Sequence, residues 1–248
     1  MHTLQNNTIL ITGASSGIGR SVAQTLNQRG ANLILTGRNL TALQQTAQTL
    51  QPTAHTQIIP ADLTNPVQLQ ELTTQLPPLN GIVHSAGIVK QVPAKFNTYE
   101  LLSNVMYTNF FSIALLISQL LKAKKIQKKA SIVLISSIAA QHPLKALSGY
   151  AASKAALEAY AKTLAIELAP QGIRCNCIAP AMVHTPIMQQ TQQLVSQETM
   201  QQHLQQYPLG EGTPEDVANA TAFLISNQSN WITGTTLRLD GGLTAGII

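Results

Sequence analysis

Between Thr8 and Asn39 the chain reads TILITGASSGIGRSVAQTLNQRGANLILTGRN, and this stretch constrains the fold more than any other. A β-branched run from Thr8 to Thr12 meets a turn punctuated by Gly13, Gly17 and Gly19. Ile18, Val22 and Leu26 then recur at helical spacing before a second apolar run, Ala31 to Leu35. Strand, glycine turn, helix, strand is half of a dinucleotide-binding unit. Glycine suits such a turn because the backbone bends tightly and brings its N–H groups, with the positive end of the next helix, close to a diphosphate. The spacing is GxxxGxG, so taken alone the turn also fits an ordinary βα connection.

The rest of the chain continues the alternation. Helices are expected at Thr41 to Leu50, Leu101 to Ile126 and Tyr150 to Leu168, and at Asn65 to Leu76 with Asn65 as cap and Pro66 in the first turn. Another starts near Thr213, where Thr-Pro-Glu-Asp combines a cap, a proline and an acidic first turn. Strands are expected at Gln57 to Pro60, Gly81 to Ala86, Ser131 to Ser136, Ile173 to Ala179 and Leu237 to Leu239. Apolar strands separated by helices predict an α/β fold with a doubly wound parallel sheet covered on both faces. Its ligands would lie at the carboxyl ends of the strands.

Composition narrows the classes. With 248 residues, 44% hydrophobic and 10% charged, the chain can bury a sizeable core, and a single domain over residues 1–248 is expected. The start lacks a signal-like pattern and no apolar stretch reaches about 18 residues, so a cytoplasmic protein without a membrane partner is expected. Cys175 and Cys177 alternate on one strand and read as buried reduced thiols; the six histidines lack metal-ligand spacing, so no metal is expected. The net charge is +5, yet the basic residues are mostly scattered without aromatic-rich stretches, which argues against nucleic acid. Lys122, Lys124, Lys125, Lys128 and Lys129 do cluster. They form either a solvated helix end that complements the helix dipole or a docking site for an acidic or phosphorylated carrier.

The chemistry is suggested by Tyr150 and Lys154, four residues apart and so on one helix face, with Ser137 at the end of the apolar run ASIVLISS. An ammonium beside a phenol in a water-poor cleft favours the phenolate and makes the phenol a usable acid.

TGASSGIG at 12 to 19, Ser137, Tyr150 and Lys154, and the closing LGEGTPEDVANATAFLISNQSNWITGTTLRLDGG together resemble the short-chain dehydrogenase/reductase family over essentially the whole chain. Within it they are similar to the 3-oxoacyl-[acyl-carrier-protein] reductases. The resemblance implies a Rossmann fold and carbonyl reduction with NADP(H). Tyr150 would protonate the carbonyl oxygen and Ser137 would hold it. Lys154 would bind the nicotinamide ribose and lower the tyrosine pKa. Asn109, in NVMYTNFF, would complete a tetrad and help hold a water that passes protons onward. Implied cofactor contacts are Gly13, Ser15, Ser16, Gly17, Ile18 and Gly19 in the turn; Asp62 and Leu63; Ser85, Ala86 and Gly87; and Pro180, Val183 and Thr185, with Tyr150 and Lys154. NADP(H) is expected over NAD(H) because LTGRN puts Gly37 where a ribose-binding carboxylate would stand and follows it with Arg38, a fork matched to phosphate.

Three departures from the family pattern stand out. Ser85 replaces an asparagine, Ala181 replaces a glycine at a cost in backbone freedom, and Gln171 stands where reductases of carrier-bound substrates often have arginine. The enoyl reductase branch spaces its tyrosine and lysine by seven, and residue 157 here is leucine. The substrate is expected to be a small-molecule carbonyl or alcohol, with a 3-oxoacyl thioester on an acyl-carrier protein as one candidate. The alternatives are an alcohol, sugar or steroid dehydrogenase and a non-catalytic NADP(H)-binding regulator. Pocket candidates are His142, Leu144, Lys145, Leu147 and His184. A substrate lid is expected at about 185–210, where Ile187, Met188, Leu194, Val195, Met200 and Leu204 stand out among glutamines. A homo-oligomer, dimer or tetramer, is expected by analogy; the apolar long helix around Phe110 and Phe111 and the apolar end Ile247-Ile248 agree with it.

Overall fold

The computed structural model describes residues 4–52, 54–185 and 197–246. Seven strands form one sheet: β1 (Thr8–Thr12), β2 (Asn32–Thr36), β3 (Thr56–Ile58), β4 (Leu79–His84), β5 (Ile126–Ile135), β6 (Arg174–Pro180) and β7 (Thr236–Leu239). Their order is β3-β2-β1-β4-β5-β6-β7 and every neighbouring pair is parallel. Parallel strands need crossovers, and the helices supply them: α1 (Gly17–Gln28), α2 (Leu40–Gln48), α3 (Pro66–Gln75), α4 (Tyr99–Met106), α5 (Ser112–Lys122), α6 (Ser148–Leu168), α7 (Gln197–Leu204) and α8 (Pro214–Ile225).

Strand periodicity divides the interior in two. Leu10, Ile34, Ile82, Ile132 and Leu134 point to the face covered by α3, α5 and α6, while Ile9, Ile11, Leu33, Leu35, Val83 and Val133 point to the face covered by α1 and α8. Both sets are fully or nearly fully buried, which is why these strands are apolar at consecutive positions. Cys175 and Cys177 share the first face as buried free thiols, as their alternation implies. Asn65 caps α3 by accepting from the Val67 and Gln68 N–H groups, with Pro66 in its first turn.

Most expected boundaries hold to within two residues, with two corrections in the middle of the chain. The helix expected at Leu101 to Ile126 starts at Tyr99, because the Thr98 hydroxyl caps the Leu101 N–H. It is interrupted by a π turn at Tyr107–Phe111 and stops at Lys122. Lys124, at φ 55°, reverses the chain, and Ile126 already belongs to β5. That strand is longer than Ser131 to Ser136 because its first residue pairs with Leu79 before the ladder shifts register near Lys129, itself at φ 64°.

The helical segment Tyr99–Lys122 is also, by length and composition, apolar enough to cross a membrane, against the expectation that no such stretch exists. Here it connects two strands of a single parallel sheet, and Val105, Ile113, Leu116, Ile117 and Leu120 are buried in the protein core. Its apolar character is that of a crossover helix covering the sheet.

The lysine cluster is not uniform. Lys125 donates to the carbonyls of Thr73, Thr74 and Leu76 at 2.7, 2.7 and 2.5 Å and so closes the carboxyl end of α3, the helix-end reading in a specific form. Lys122, Lys124, Lys128 and Lys129 are exposed.

Candidate active site

After β1 the chain builds β2 and β3 on one side, then returns to place β4 on the other, so a crevice opens at the carboxyl ends of β1 and β4. A cleft of about 1090 Å³ occupies it and extends over the ends of β5 and β6. The glycine turn forms one wall. Gly13 has φ 68°, and a Cβ there would lie 2.6 Å from the Ala86 nitrogen; a Cβ on Gly19 would lie 2.2 Å from the Gly13 carbonyl oxygen. Turn, helix start and the end of β4 therefore touch backbone to backbone.

The start of α1 differs from those of α2, α3, α4 and α8, and shares the lack of a side-chain cap with α6. Ser16 makes no side-chain cap and no acidic residue follows in the first turn, whereas Asn39, Asn65, Thr98 and Thr213 all cap their helices. The N–H groups of α1 thus face the cleft without side-chain acceptors of their own, the arrangement an anion requires. Arg20 holds the turn from behind, donating to the Ser15 carbonyl at 2.7 Å and to Thr46 at 3.0 Å. Gly37 and Arg38 line the far end of the cleft, where no carboxylate replaces the glycine. Asp62 and Leu63 line it too, with one Asp62 oxygen accepting from the Thr64 N–H and hydroxyl. On these observations the residues present fit a nicotinamide dinucleotide.

Ser137, Tyr150 and Lys154 all line the same cleft. Ser137 follows β5 and accepts the Ala139 N–H at 3.2 Å. Lys154 is buried, and its Nζ donates to the Ile135 carbonyl at 2.8 Å, 5.7 Å from the centre of the Tyr150 ring. Burial lowers the lysine pKa to about 8. The expected lowering of the tyrosine pKa is not met: burial pushes Tyr150 above the ordinary phenol value, opposed only by the Ser137 hydroxyl. Sharing a helix face brought the two side chains together, but desolvation outweighs an ammonium that is itself turned to a backbone carbonyl.

Asn109 stands apart from the other candidate catalytic residues. It lies in the π turn, fully buried, and does not line the cleft. Its carboxamide accepts from the Ile88 N–H at 2.8 Å and donates to the Ile88 carbonyl at 3.0 Å and to Ser153 at 2.9 Å. Its backbone is a hydrogen-bond partner of the buried His84 ring. Gly19 also stands back from the cleft, acting through its packing on Gly13. Gly13, Ser15, Ser16, Gly17, Ile18, Ser85, Ala86, Gly87, Pro180, Val183 and Thr185 line it. Ala181 is not among the described residues with positive φ, so the alanine costs no backbone freedom there.

Around the substrate end, His142, Leu144 and Leu147 line the cleft, while Lys145 and His184 do not. His184 instead pairs with Glu211, and Val183 bridges to Gly212, so these residues tie the two ends of the lid segment together. Of the lid candidates, Ile187, Met188, Leu194 and Val195 lie outside the described residues, as does the apolar end Ile247-Ile248. Helix α7 falls within the expected lid.

Several lining or supporting residues were not read from the sequence. His203, Gln206 and Tyr207 line the cleft from the lid side, and Leu243 and Thr244 reach it from the far end of the chain. Buried Glu158 accepts from Ser136 at 3.0 Å and from Gln141 at 2.8 Å, gripping both ends of the Ser137 segment. Glu158 had a signal, since it stands one helical turn beyond Lys154; the lid and tail residues had none.

A doubly wound parallel sheet with a glycine turn at its switch point and a serine, tyrosine and lysine around one cleft defines the class of nicotinamide-dependent oxidoreductases. Known proteins agree. A family model described as Enoyl-(Acyl carrier protein) reductase matches residues 13–244. The 3-oxoacyl-[acyl-carrier-protein] reductase FabG of Rickettsia bellii (strain RML369-C) is 33% identical over 244 residues, covering 98% of this chain and 99% of that protein. The vibriobactin-specific 2,3-dihydro-2,3-dihydroxybenzoate dehydrogenase of Vibrio cholerae serotype O1 is 31% identical over 255 residues, covering 98% and 97%. A solved structure titled short chain dehydrogenase/reductase family protein superposes with a TM-score of 0.87 at 30% identity, covering 99% of this chain and all of that one. The chain belongs to the short-chain dehydrogenase/reductase family and is a carbonyl-reducing oxidoreductase.

Proposed function

We propose that this protein reduces a ketone to an alcohol with NADPH, and that the ketone is a 3-oxoacyl thioester. The single observation carrying the reading is the meeting of Ser137, Tyr150 and Lys154 in the same cleft as the uncapped start of α1. When bound, NADPH supplies a hydride to the carbonyl carbon. Tyr150 gives its hydroxyl proton to the carbonyl oxygen, a transfer that suits a phenol kept protonated by burial. The Ser137 hydroxyl donates a hydrogen bond to that oxygen, and the segment bearing it is held by Glu158. Lys154 supplies the positive charge that offsets the departing proton, and its pKa of about 8 leaves it able to exchange protons near neutrality.

Arg38 and the bare Gly37 support NADP(H) over NAD(H). The four-residue spacing of Tyr150 and Lys154 supports ketone over enoyl reduction. Carrier delivery of the thioester is supported by the exposed lysines near Lys128 and opposed by Gln171, which lines the same shallow cleft as Lys124 and Lys128. The Vibrio relative favours a second reading, oxidation of a hydroxylated ring by the same residues. We read the chain as one cytoplasmic domain that works as a homo-oligomer; exposed Tyr99, Tyr107, Phe111 and Leu115 along α4 and α5 offer the apolar contact.

Two measurements test this. Fluorescence titration is expected to give tighter binding of NADPH than NADH. Tyr150→Phe is expected to bind NADPH normally while turnover on 3-oxoacyl thioesters falls about 10²- to 10⁴-fold; near-normal turnover would sink the proposal.

A further inference from the structure

The lid side of the cleft carries a fixed polar pair that has no part in the chemistry above. Helix α7 brings His203 to the cleft, and Tyr207, four residues further on, is buried beside it. The Tyr207 oxygen accepts the Met182 N–H at 3.3 Å, two residues past the end of β6, and lies 3.3 Å from His203 Nε2. The two rings meet edge to face, their centres 5.4 Å apart at 85°. His142 and Gln206, polar neighbours at this end of the cleft, have no side-chain hydrogen bond among the described residues, so the His203 ring is held where theirs are not.

The protons of this pair follow from its buried setting. Burial pushes the Tyr207 phenol above its ordinary pKa, the Met182 N–H opposes the rise, and the charges of Glu211 and Asp240 add to it, so the hydroxyl keeps its proton. Its oxygen already takes the Met182 N–H, and a second N–H from His203 would leave the hydroxyl proton without an acceptor among the described residues. With the hydroxyl donating to Nε2 both groups are met, and a neutral ring then carries its one proton on Nδ1. That nitrogen has no hydrogen-bond partner among the described residues, in a side chain that lines the cleft. A 3-oxoacyl thioester brings two carbonyl oxygens into the same space. Ser137 and Tyr150 take the ketone oxygen, and the thioester oxygen still needs a donor.

We infer, resting on the function proposed above, that His203 is a specificity residue whose Nδ1–H donates to the thioester carbonyl oxygen of a 3-oxoacyl substrate, and that Tyr207 is the positioning residue that keeps the proton on that nitrogen. A plain ketone has no second oxygen for this donor. The pair therefore selects a 1,3-dicarbonyl compound over a monoketone, and it does so through binding, because the hydrogen bond is present both before and during hydride transfer. Holding the ring against Tyr207 beforehand spares the substrate the cost of ordering it.

Turnover with NADPH is compared on a 3-oxoacyl thioester and on a monoketone of the same chain length. His203→Phe, which keeps a ring against Tyr207, is expected to lower kcat/KM on the thioester about 5- to 10-fold, mainly through KM, and to stay within about twofold of wild type on the monoketone. His203→Asn, whose amide reaches the Nδ1 position, is expected to restore the thioester to within about threefold of wild type. Equal losses on both substrates, no loss on either, or a loss that tracks weaker NADPH binding would overturn the inference in favour of a purely structural pair. Nitrogen NMR of labelled histidine at about pH 8, where an imidazole is ordinarily neutral, reads the ring without turnover. A His203 proton on Nδ1 that leaves that nitrogen in Tyr207→Phe supports the inference, and a proton on Nε2 in the wild type overturns it. If the wild type reduces neither substrate, the functional proposal fails, and the NMR result still decides which nitrogen Tyr207 sets as the donor.

Discussion

Helices α1 and α8 pack against each other on the same face of the sheet, yet their amino ends are built in opposite ways. The start of α8 meets its own needs: Thr213 and Asp216 form a reciprocal capping box, Pro214 fills the first turn, and Glu215 adds negative charge. The start of α1 has none of these, neither a side-chain cap nor an acid, and it opens on the cleft. A helix end satisfied internally contributes stability, whereas one left bare keeps its N–H groups and dipole for a ligand. For the function proposed above, the contrast supports the start of α1 as the diphosphate site more specifically than the glycine spacing does, because GxxxGxG alone also serves ordinary turns.

Three substitutions test that contrast, in decreasing order of effect. Gly19→Ala places a Cβ 2.2 Å from the Gly13 carbonyl oxygen, where only backbone can yield. NADPH binding by titration should be lost and the apoprotein destabilised by about 1–3 kcal/mol in urea unfolding. Ser16→Asp would give α1 the acidic cap it lacks. The apoprotein should gain about 0.5–1 kcal/mol while the NADPH Kd rises at least about tenfold, since a carboxylate would then stand where the diphosphate binds. A gain in stability with unchanged NADPH affinity would move the diphosphate elsewhere. Thr213→Ala should cost about 1 kcal/mol of stability and leave the NADPH Kd within about twofold, because the box on α8 serves only its own helix.

The same division between local and distant causes separates what was legible in the residues from what was not. The α8 cap, the Asn65 cap, the glycine turn and the shared face of Tyr150 and Lys154 are patterns within a few positions, and all appear as read. The long helix was misjudged at its carboxyl end because Lys124 takes a left-handed conformation that composition does not announce, and β5 gained residues through a register shift fixed by Leu79 on another strand.

Local periodicity and capping chemistry are carried by neighbours in the chain, so the sequence alone determined the alternation of strands and helices, the doubly wound class and the serine, tyrosine and lysine of the candidate site. Only the tertiary structure decided how those groups are poised. The raised pKa of Tyr150, the turning of Lys154 to Ile135 and the commitment of the Asn109 amide all arise from atoms distant in sequence. The physical reason is that desolvation and hydrogen-bond satisfaction depend on everything that surrounds a group, and most of what surrounds a buried group in a parallel sheet comes from other strands and their crossover helices.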